Sequence, residues 1–300
     1  MKLIIQIPCY NEEENLAKTI NNLPKKIKGI DEIEYLLISD GSTDKSVEIA
    51  KKNGVHHILD FKVNRGLAKT FMSGIKEALS LGADIIVNID GDNQYCGADI
   101  AKLVKPILDN KADMVIGERQ IEKFSFIKRV LQRLGSFVVR KISHTDVKDA
   151  PSGFRAYTRE CAMKLNIYNN FTYTLETIVQ MGRCNQRIEN VKIRSNITTR
   201  KSRLFKNSLE YILKSMINVL KAFFIYMPMK TFFTLGTIFF IISAIIGIIY
   251  LFTQSMCAMI WCAVMFLISV ISYLFMINSN ILYANRVLLE DIQYNNRRNV

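Results

Sequence analysis

The chain has 300 residues, 49% of them hydrophobic and 22% charged, enough apolar material for one large packed domain or two smaller ones. A formal net charge of +13 suits either nucleic acid or an anionic membrane, and the placement of that charge decides for the membrane. The six cysteines, Cys9, Cys96, Cys161, Cys184, Cys257 and Cys262, form no Cys-x-x-Cys pair and have no histidines nearby, which argues against a zinc site and a disulfide framework.

Lys2 to Pro8 reads as a first strand, and its apolar part, Leu3 to Ile7, is too short for the core of a signal peptide. Asn11 with Glu14 three residues on forms a helix-starting pattern ahead of Leu16, Ile20 and Leu23. A second strand, Ile33 to Ser39, ends at Asp40-Gly41-Ser42-Thr43-Asp44, after which Val47, Ile49 and Ala50 continue as a helix. Val55 to Leu59 is a third strand, on which the adjacent His56 and His57 face opposite ways and cannot chelate one ion. Asn64-Arg65-Gly66 opens a helix whose Leu67, Phe71, Ile75 and Leu79 fall at four-residue spacing, with Lys69 and Lys76 outward. The fourth strand starts at Asp84 and stops abruptly in Asp90-Gly91-Asp92; a helix from about Ala98 to Leu108 and a strand from Asp113 to Gly117 follow. This alternation predicts an α/β fold with a mostly parallel central sheet.

In such sheets ligands sit beyond the carboxyl ends of the strands, so Pro8-Cys9-Tyr10-Asn11-Glu12, Asp40-Gly41-Ser42 and Asp90-Gly91-Asp92 should line one crevice. Gly91 lets the backbone turn closely, and Asp90 and Asp92 can then converge on one hard divalent cation whose remaining positions a diphosphate and waters fill. The same triplet also fits a merely solvated turn. Neither Gly-x-Gly-x-x-Gly nor a Walker-type loop occurs, which argues against a dinucleotide or P-loop site.

No charged residue lies between Lys230 and Arg286. Two membrane spans are expected there, near Phe232 to Phe252 and Cys257 to Ile277, joined by a turn around Thr253-Gln254-Ser255. Lys192, Arg194, Arg200, Lys201, Arg203, Lys206, Lys214, Lys221 and Lys230 stand before the spans against Glu210 alone, and Arg286, Arg297 and Arg298 follow them. Positive-inside logic therefore puts the domain before the spans and both termini in the cytoplasm of a multi-pass membrane protein. Leu209 to Met229, ending at Pro228, reads as an interfacial helix, and the stretch after the second span as a short tail helix. The expected segments are a domain at 1–205, a juxtamembrane helix at 206–230, two transmembrane helices at 231–278 and the tail at 279–300. The run Lys123 to Lys148 reads either as an amphipathic helix with a solvated basic face or as a surface meeting a lipid phosphate.

Several ordered stretches together resemble one family. These are Ile7-Pro8-Cys9-Tyr10-Asn11-Glu12-Glu13, Asp40-Gly41-Ser42-Thr43-Asp44, Asn64-Arg65-Gly66-Leu67-Ala68 with Gly74, and Asp90-Gly91-Asp92-Asn93-Gln94. Gly117-Glu118-Arg119, Asp149-Ala150-Pro151-Ser152-Gly153-Phe154-Arg155-Ala156, Val191-Lys192-Ile193 and Arg200-Lys201-Ser202-Arg203 complete the set. Over about residues 3 to 205 the chain resembles the family 2 glycosyltransferases of the membrane-tethered polyprenyl-phosphate (dolichyl-phosphate) hexose synthase type. The resemblance implies a GT-A fold and a nucleotide-sugar donor, with Pro8, Tyr10, Glu12 and Asp40 at the base and ribose. It also implies Mg²⁺ or Mn²⁺ with the diphosphate at Asp90, Asp92 and Gln94, a closing loop at Arg200, an acceptor-side loop at Asp149 to Ala156, and an acceptor phosphate at Arg119, Arg129 and Arg133. Ser39-Asp40 departs from the two acids common at that turn, which puts base recognition in question. The Gln-x-x-Arg-Trp of processive synthases is missing, since the only tryptophan is Trp261 in the hydrophobic region.

Asp92, Asp149, Arg155 and Glu176 form the expected catalytic set for an inverting, metal-dependent transfer. A polyprenyl-phosphate acceptor is already an anion and needs no strong base; a sugar hydroxyl would need Asp149 or Glu176 to take its proton. Arg155 beside Asp149 fits a site residue or a structural ion pair, and Phe154 and Tyr157 fit the core better than a sugar platform. A non-catalytic, membrane-tethered nucleotide-binding partner is the reading from another class. No nucleic-acid partner is expected, and the sequence leaves monomer and homo-oligomer both open.

Overall fold

In the computed structural model, residues 1–120, 126–167, 173–196 and 226–298 are described, together with 217, 221 and 224. Arg200, the basic stretch around it and most of the expected interfacial helix lie outside the described residues. Contacts divide the chain into two units, Met1–Glu210 with Tyr294–Val300, and Tyr211–Gln293.

The first unit is built on a seven-stranded sheet among the described residues: β1 (Lys2–Cys9), β2 (Glu32–Ser39), β3 (His57–Asp60), β4 (Ile85–Asn88), β5 (Met114–Glu118), β6 (Arg155–Thr158) and β7 (Ile188–Lys192). Their order across the sheet is β3-β2-β1-β4-β6-β5-β7. All neighbours are parallel except β6, which is antiparallel to both β4 and β5. Leu3 through Cys9 are buried without interruption, as a strand covered on both faces requires. On one face Leu3, Ile5 and Ile7 join Leu37, Val87, Phe154, Ile100 and Val104 in the core.

The connecting helices are α1 (Leu16–Asn21), α2 (Ser46–Lys52), α3 (Leu67–Ser80), α4 (Ile100–Leu108), α5 (Phe126–Ser143), α6 (Arg159–Lys164) and α7 (Thr174–Arg183). Helix α3 buries Phe71, Ile75 and Leu79, the expected stripe, although Leu67 at its exposed first turn stays 37% accessible. It lies so close to the sheet that a Cβ on Gly74 would come within 2.5 Å of Gln6 Oε1 and 2.7 Å of Ile38 Cδ1. Gly74→Ala is therefore expected to cost about 1–3 kcal/mol through overpacking, read as a lower denaturant midpoint.

Three local expectations are corrected. Helix α1 starts at Leu16 rather than behind an Asn11 cap, because Asn11 adopts φ 54° and its Oδ1 accepts the Thr43 N–H at 2.8 Å. β3 begins at His57, where Nε2 pairs with Glu34 Oε2 at 3.0 Å, while His56 Nδ1 accepts the Tyr35 N–H. The stretch Asp149 to Ala156 is not loop throughout: its end enters β6, a central strand too short and too polar at its start to show a period of two.

The second unit holds α8 (Pro228–Thr253) and most of α9 (Met256–Arg298), both long and apolar enough to cross a membrane. At 26 residues α8 spans roughly 40 Å, more than a bilayer core of about 30 Å. Pro228 begins this helix, at the position where its missing N–H costs nothing. The helices close into a hairpin through Gln254 in a left-handed conformation. Small residues bring them together: Ser243 Oγ donates to the Cys262 carbonyl at 2.9 Å and Ser269 Oγ to the Gly236 carbonyl at 2.8 Å. The 43-residue α9 runs on without a break into the expected tail helix, there being no glycine or proline to interrupt it.

Candidate active site

β1 to β4 run parallel, so their carboxyl ends open on one edge of the sheet. The chain adds β2 and β3 outward on one side of β1 and then returns to add β4 on the other, and such a reversal of order is where parallel sheets open a ligand crevice. The expected segments from β1, β2 and β4 all end there. The first two are interlocked: Asn11 N–H donates to Ser42 Oγ at 3.1 Å, Glu12 N–H to Ser46 Oγ at 2.9 Å and Glu13 N–H to Asp44 Oδ2 at 3.0 Å. Pro8 and Glu12 are buried, and Tyr10 presents its ring outward with 44% accessible.

Asp40, also buried, accepts the N–H groups of Arg65 at 2.7 Å and Gly66 at 3.0 Å, just before α3. It therefore shapes the 61–66 loop that borders the crevice. Gly41 permits this approach, since a Cβ at its φ of +70° would lie 2.6 Å from the Val63 carbonyl carbon.

Past β4 the backbone stays beside β1, with Ile89 N–H on the Gln6 carbonyl and Gly91 N–H on that of Pro8. The turn is not made by Gly91, where a Cβ would meet nothing nearer than 3.5 Å, but by Asn93 at φ 58°. Gln94 N–H donates to Asp92 Oδ1 at 3.1 Å, and its carbonyl accepts the Asn196 N–H at 2.9 Å. Burial raises the Asp90 carboxyl and the charge of Asp92 raises it further; Arg119 and Arg155 act against both, and the pKa is pushed up to about 7. Asp90 Oδ1 is buried without a hydrogen-bond partner. An orphaned oxygen on one of two mutually repelling carboxylates fits a divalent cation, which would satisfy it and reverse the repulsion. Among the described residues no cluster of three His, Cys, Asp or Glu exists, so the remaining ligands would come from a diphosphate and water. Cys9, at the end of β1, is no nucleophile, because burial pushes its thiol up to about 11.

A family profile described as Glycosyl transferase family 2 matches residues 4–165. The chain belongs to glycosyl transferase family 2. This family 2 chain is similar to the dolichol-phosphate mannosyltransferase of Pyrococcus furiosus, 31% identical over 53% of this chain and 47% of that one. It is also similar to the UDP-N-acetylglucosamine--dolichyl-phosphate N-acetylglucosaminyltransferase of Methanococcus voltae, 29% identical over 53% of this chain and 70% of that one. Among solved structures, glucosyl-3-phosphoglycerate synthase from Mycobacterium tuberculosis, in complex with Mn²⁺, UDP and glucosyl-3-phosphoglycerate, is 16% identical with a TM-score of 0.57. That match covers 73% of this chain and 79% of that one, and the expected GT-A-type fold is present.

The family 2 segment Asp149 to Arg155 is placed differently from expectation. Asp149 does not pair with Arg155. Its fully buried carboxylate accepts Arg119 N–H at 3.1 Å, Arg119 Nε at 2.8 Å, Arg119 Nη2 at 3.0 Å and Gln132 Nε2 at 2.6 Å. Arg155 is fully buried too, spent on the carbonyls of Ala150, Ser152 and Thr174 and on Thr177 Oγ1. Phe154 and Tyr157 are core residues, as expected. Glu176 is buried in the first turn of α7. On α5 Gln132, Ser136, Val139 and Ser143 turn inward, Arg133 and Lys141 are exposed and Arg129 is half-buried, so the helix is amphipathic with Arg133 and Lys141 outward.

Sequence reasoning missed two sets of supports. Asn88, Tyr95 and Tyr173 surround Gly153, and their one signal is an amide inside an apolar strand. The second set ties the segment after β7 to the metal turn: Tyr95 bridges to Ser195, and Asn196 Nδ2 donates to the Asn93 carbonyl at 3.0 Å. Arg194 anchors that segment on buried Asp99, with Nη2 on Oδ1 at 2.8 Å and its N–H on Oδ2 at 2.7 Å, and Lys102 adds a third contact at 2.9 Å. Burial alone would raise the Asp99 carboxyl, but Arg194 and Lys102 outweigh it and hold the pKa down to about 2. Because this lies below the unfolded value of 3.8, the stabilisation is complete above that value and is lost as pH falls through about 2. Asp99→Asn is expected to remove this part of the acid limb, measured as a smaller fall in urea midpoint between about pH 5 and pH 2.

Proposed function

We propose that this chain transfers a hexose, with inversion, from a nucleotide sugar to a polyprenyl phosphate at the cytoplasmic face of a membrane. The observation that carries the proposal is the Asp90 carboxylate at the topological switch point, beside Asp92, with one buried oxygen unsatisfied. Mg²⁺ or Mn²⁺ held by Asp90 and Asp92, with Gln94 in the same turn, would neutralise the diphosphate as the anomeric bond breaks. The solved relative binds Mn²⁺ and UDP, which supports that assignment.

Pro8, Tyr10, Glu12 and the Asp40-shaped loop would border the base and ribose, with Arg200 closing on the donor. An acceptor phosphate oxygen would attack the anomeric carbon from the side opposite the diphosphate. Its charge at neutral pH makes a strong base unnecessary. This suits a site in which Asp149, one of two carboxylates considered as bases, already accepts four hydrogen bonds. Arg119 is fixed by Asp149, and Arg129 and exposed Arg133 stand on α5 as candidates to grip the phosphate. The relatives named for dolichyl-phosphate and dolichol-phosphate transfer support the acceptor class. The apolar hairpin and the basic residues before it support a membrane-held enzyme with both ends cytoplasmic.

Membranes containing the chain, incubated with radiolabelled nucleotide sugar, are expected to yield lipid-extractable label that mild acid releases. Label found only in glycan would replace the acceptor with a hydroxyl. Absence of both products with every donor would leave a non-catalytic nucleotide-binding protein.

A further inference from the structure

Asn88 lies two residues before Asp90 on β4, buried in a strand otherwise made of Ile85, Ile86 and Val87. An amide in that position is costly unless its hydrogen bonds are met, and here three are made. Gln6 Nε2 donates to Asn88 Oδ1 at 2.8 Å, which fixes the orientation of the Asn88 amide. Its Nδ2 then donates to the Gly153 carbonyl at 2.9 Å and to the Tyr173 hydroxyl at 2.8 Å. Tyr173 is itself held flat on Phe71, ring centroids 3.9 Å apart, and donates to the same carbonyl at 3.3 Å. From the other side of the metal turn, the Tyr95 hydroxyl accepts the Gly153 N–H at 3.2 Å. Both polar backbone groups of Gly153 are thus held by side chains that flank Asp90 in sequence.

Gly153 in turn forms a wall of the Asp90 carboxylate. A Cβ there would stand 2.9 Å from Asp90 Oδ2 and 2.7 Å from the Tyr173 hydroxyl. Asp90 Oδ1 has no hydrogen-bond partner of its own, so packing against this glycine limits where the carboxylate can turn. We infer that Asn88 and Tyr95 are positioning residues which, by clamping Gly153 from both sides, aim the Asp90 carboxylate at the divalent cation. The inference rests on the metal-binding role proposed for Asp90 and Asp92. It gives the buried amide a function other than core cohesion, since the side chain beside Asp90 also fixes the glycine packed against that carboxylate.

The test is Mn²⁺ binding by the full chain in detergent, with no donor present, followed by electron paramagnetic resonance as free Mn²⁺ is depleted. Thermal melting is recorded on the same samples. Asn88→Leu removes the donors without adding charge and is expected to weaken Mn²⁺ binding about 10- to 100-fold. Tyr95→Phe removes one hydroxyl and is expected to weaken it about 3- to 10-fold, the worth of one hydrogen bond. Gly153→Ala, which pushes on Asp90 directly, is expected to resemble Asn88→Leu. Asp92→Asn is the control for the metal site itself. If wild type binds Mn²⁺, Asp92→Asn does not, and the Asn88, Tyr95 and Gly153 variants bind like wild type, the clamp is overturned while the metal site stands. Should wild type fail to bind, or Asp92→Asn bind equally well, the metal assignment falls and the clamp with it. If Asn88→Leu does not fold, Tyr95→Phe and Gly153→Ala decide: unchanged Mn²⁺ affinity with a lowered melting midpoint makes the network structural only.

Discussion

Asp92→Asn is expected to reduce sugar transfer by at least about 10²- to 10³-fold while leaving the protein folded, the scale seen when one preorganised electrostatic contact to a transition state is removed. The fold survives because Asp92 contributes to the turn by accepting the Gln94 N–H through Oδ1, and asparagine keeps that oxygen. What is lost is one of two negative charges facing the proposed cation. The same change removes the repulsion that helps raise the Asp90 carboxyl, so its pKa is expected to fall from about 7. Initial rates at saturating Mn²⁺, with melting curves on the same preparations, check both halves. Loss of rate together with loss of the folded state would make Asp92 structural, and full activity without added metal would discard the mechanism.

The largest effect on stability is expected at Asp149. It is fully buried, and its partner Arg119 keeps only 17% of its side chain accessible. Truncating the acid to alanine removes the carboxylate that three Arg119 donors and the Gln132 amide share in the interior, a loss of about 3–5 kcal/mol of folding free energy. Asp149→Asn keeps an acceptor and should lose less. Urea unfolding of the two variants measures this order directly. If Asp149 were instead the base that takes a proton from a hydroxyl acceptor, its variants would keep their stability and lose only rate.

How far the site was readable from the sequence depended on how local its cause is. A buried β-branched run ending in Asp90-Gly91-Asp92 carries its meaning in adjacent residues, and the parallel strands around it followed from strand, turn and helix alternation. Contacts across the sheet were another matter. Arg155 stands nearer Asp149 in sequence, but Arg119 takes the carboxylate because the end of β5 abuts the 149–153 loop, whereas Arg155 enters β6 and turns back onto carbonyls of its own loop and of α7. Asn11 resembled a helix cap and was claimed by the neighbouring turn through Thr43. β6 was hidden because four residues beginning with an arginine carry no visible period, and the antiparallel insertion follows from which strand edge is free, a property of the whole sheet. Asn88 and Gln6 were visible as amides in apolar strands, but which partner each meets is decided by registers that no local pattern states.

The most direct measurement is made on the purified full chain in lipid nanodiscs, given a labelled nucleotide sugar, a polyprenyl phosphate and Mn²⁺. The account predicts an acid-labile lipid-linked hexose that disappears on chelation, returns when the metal is restored, and does not form with Asp92→Asn. Equal product in the presence of chelator, or from the Asp92→Asn chain, would contradict it.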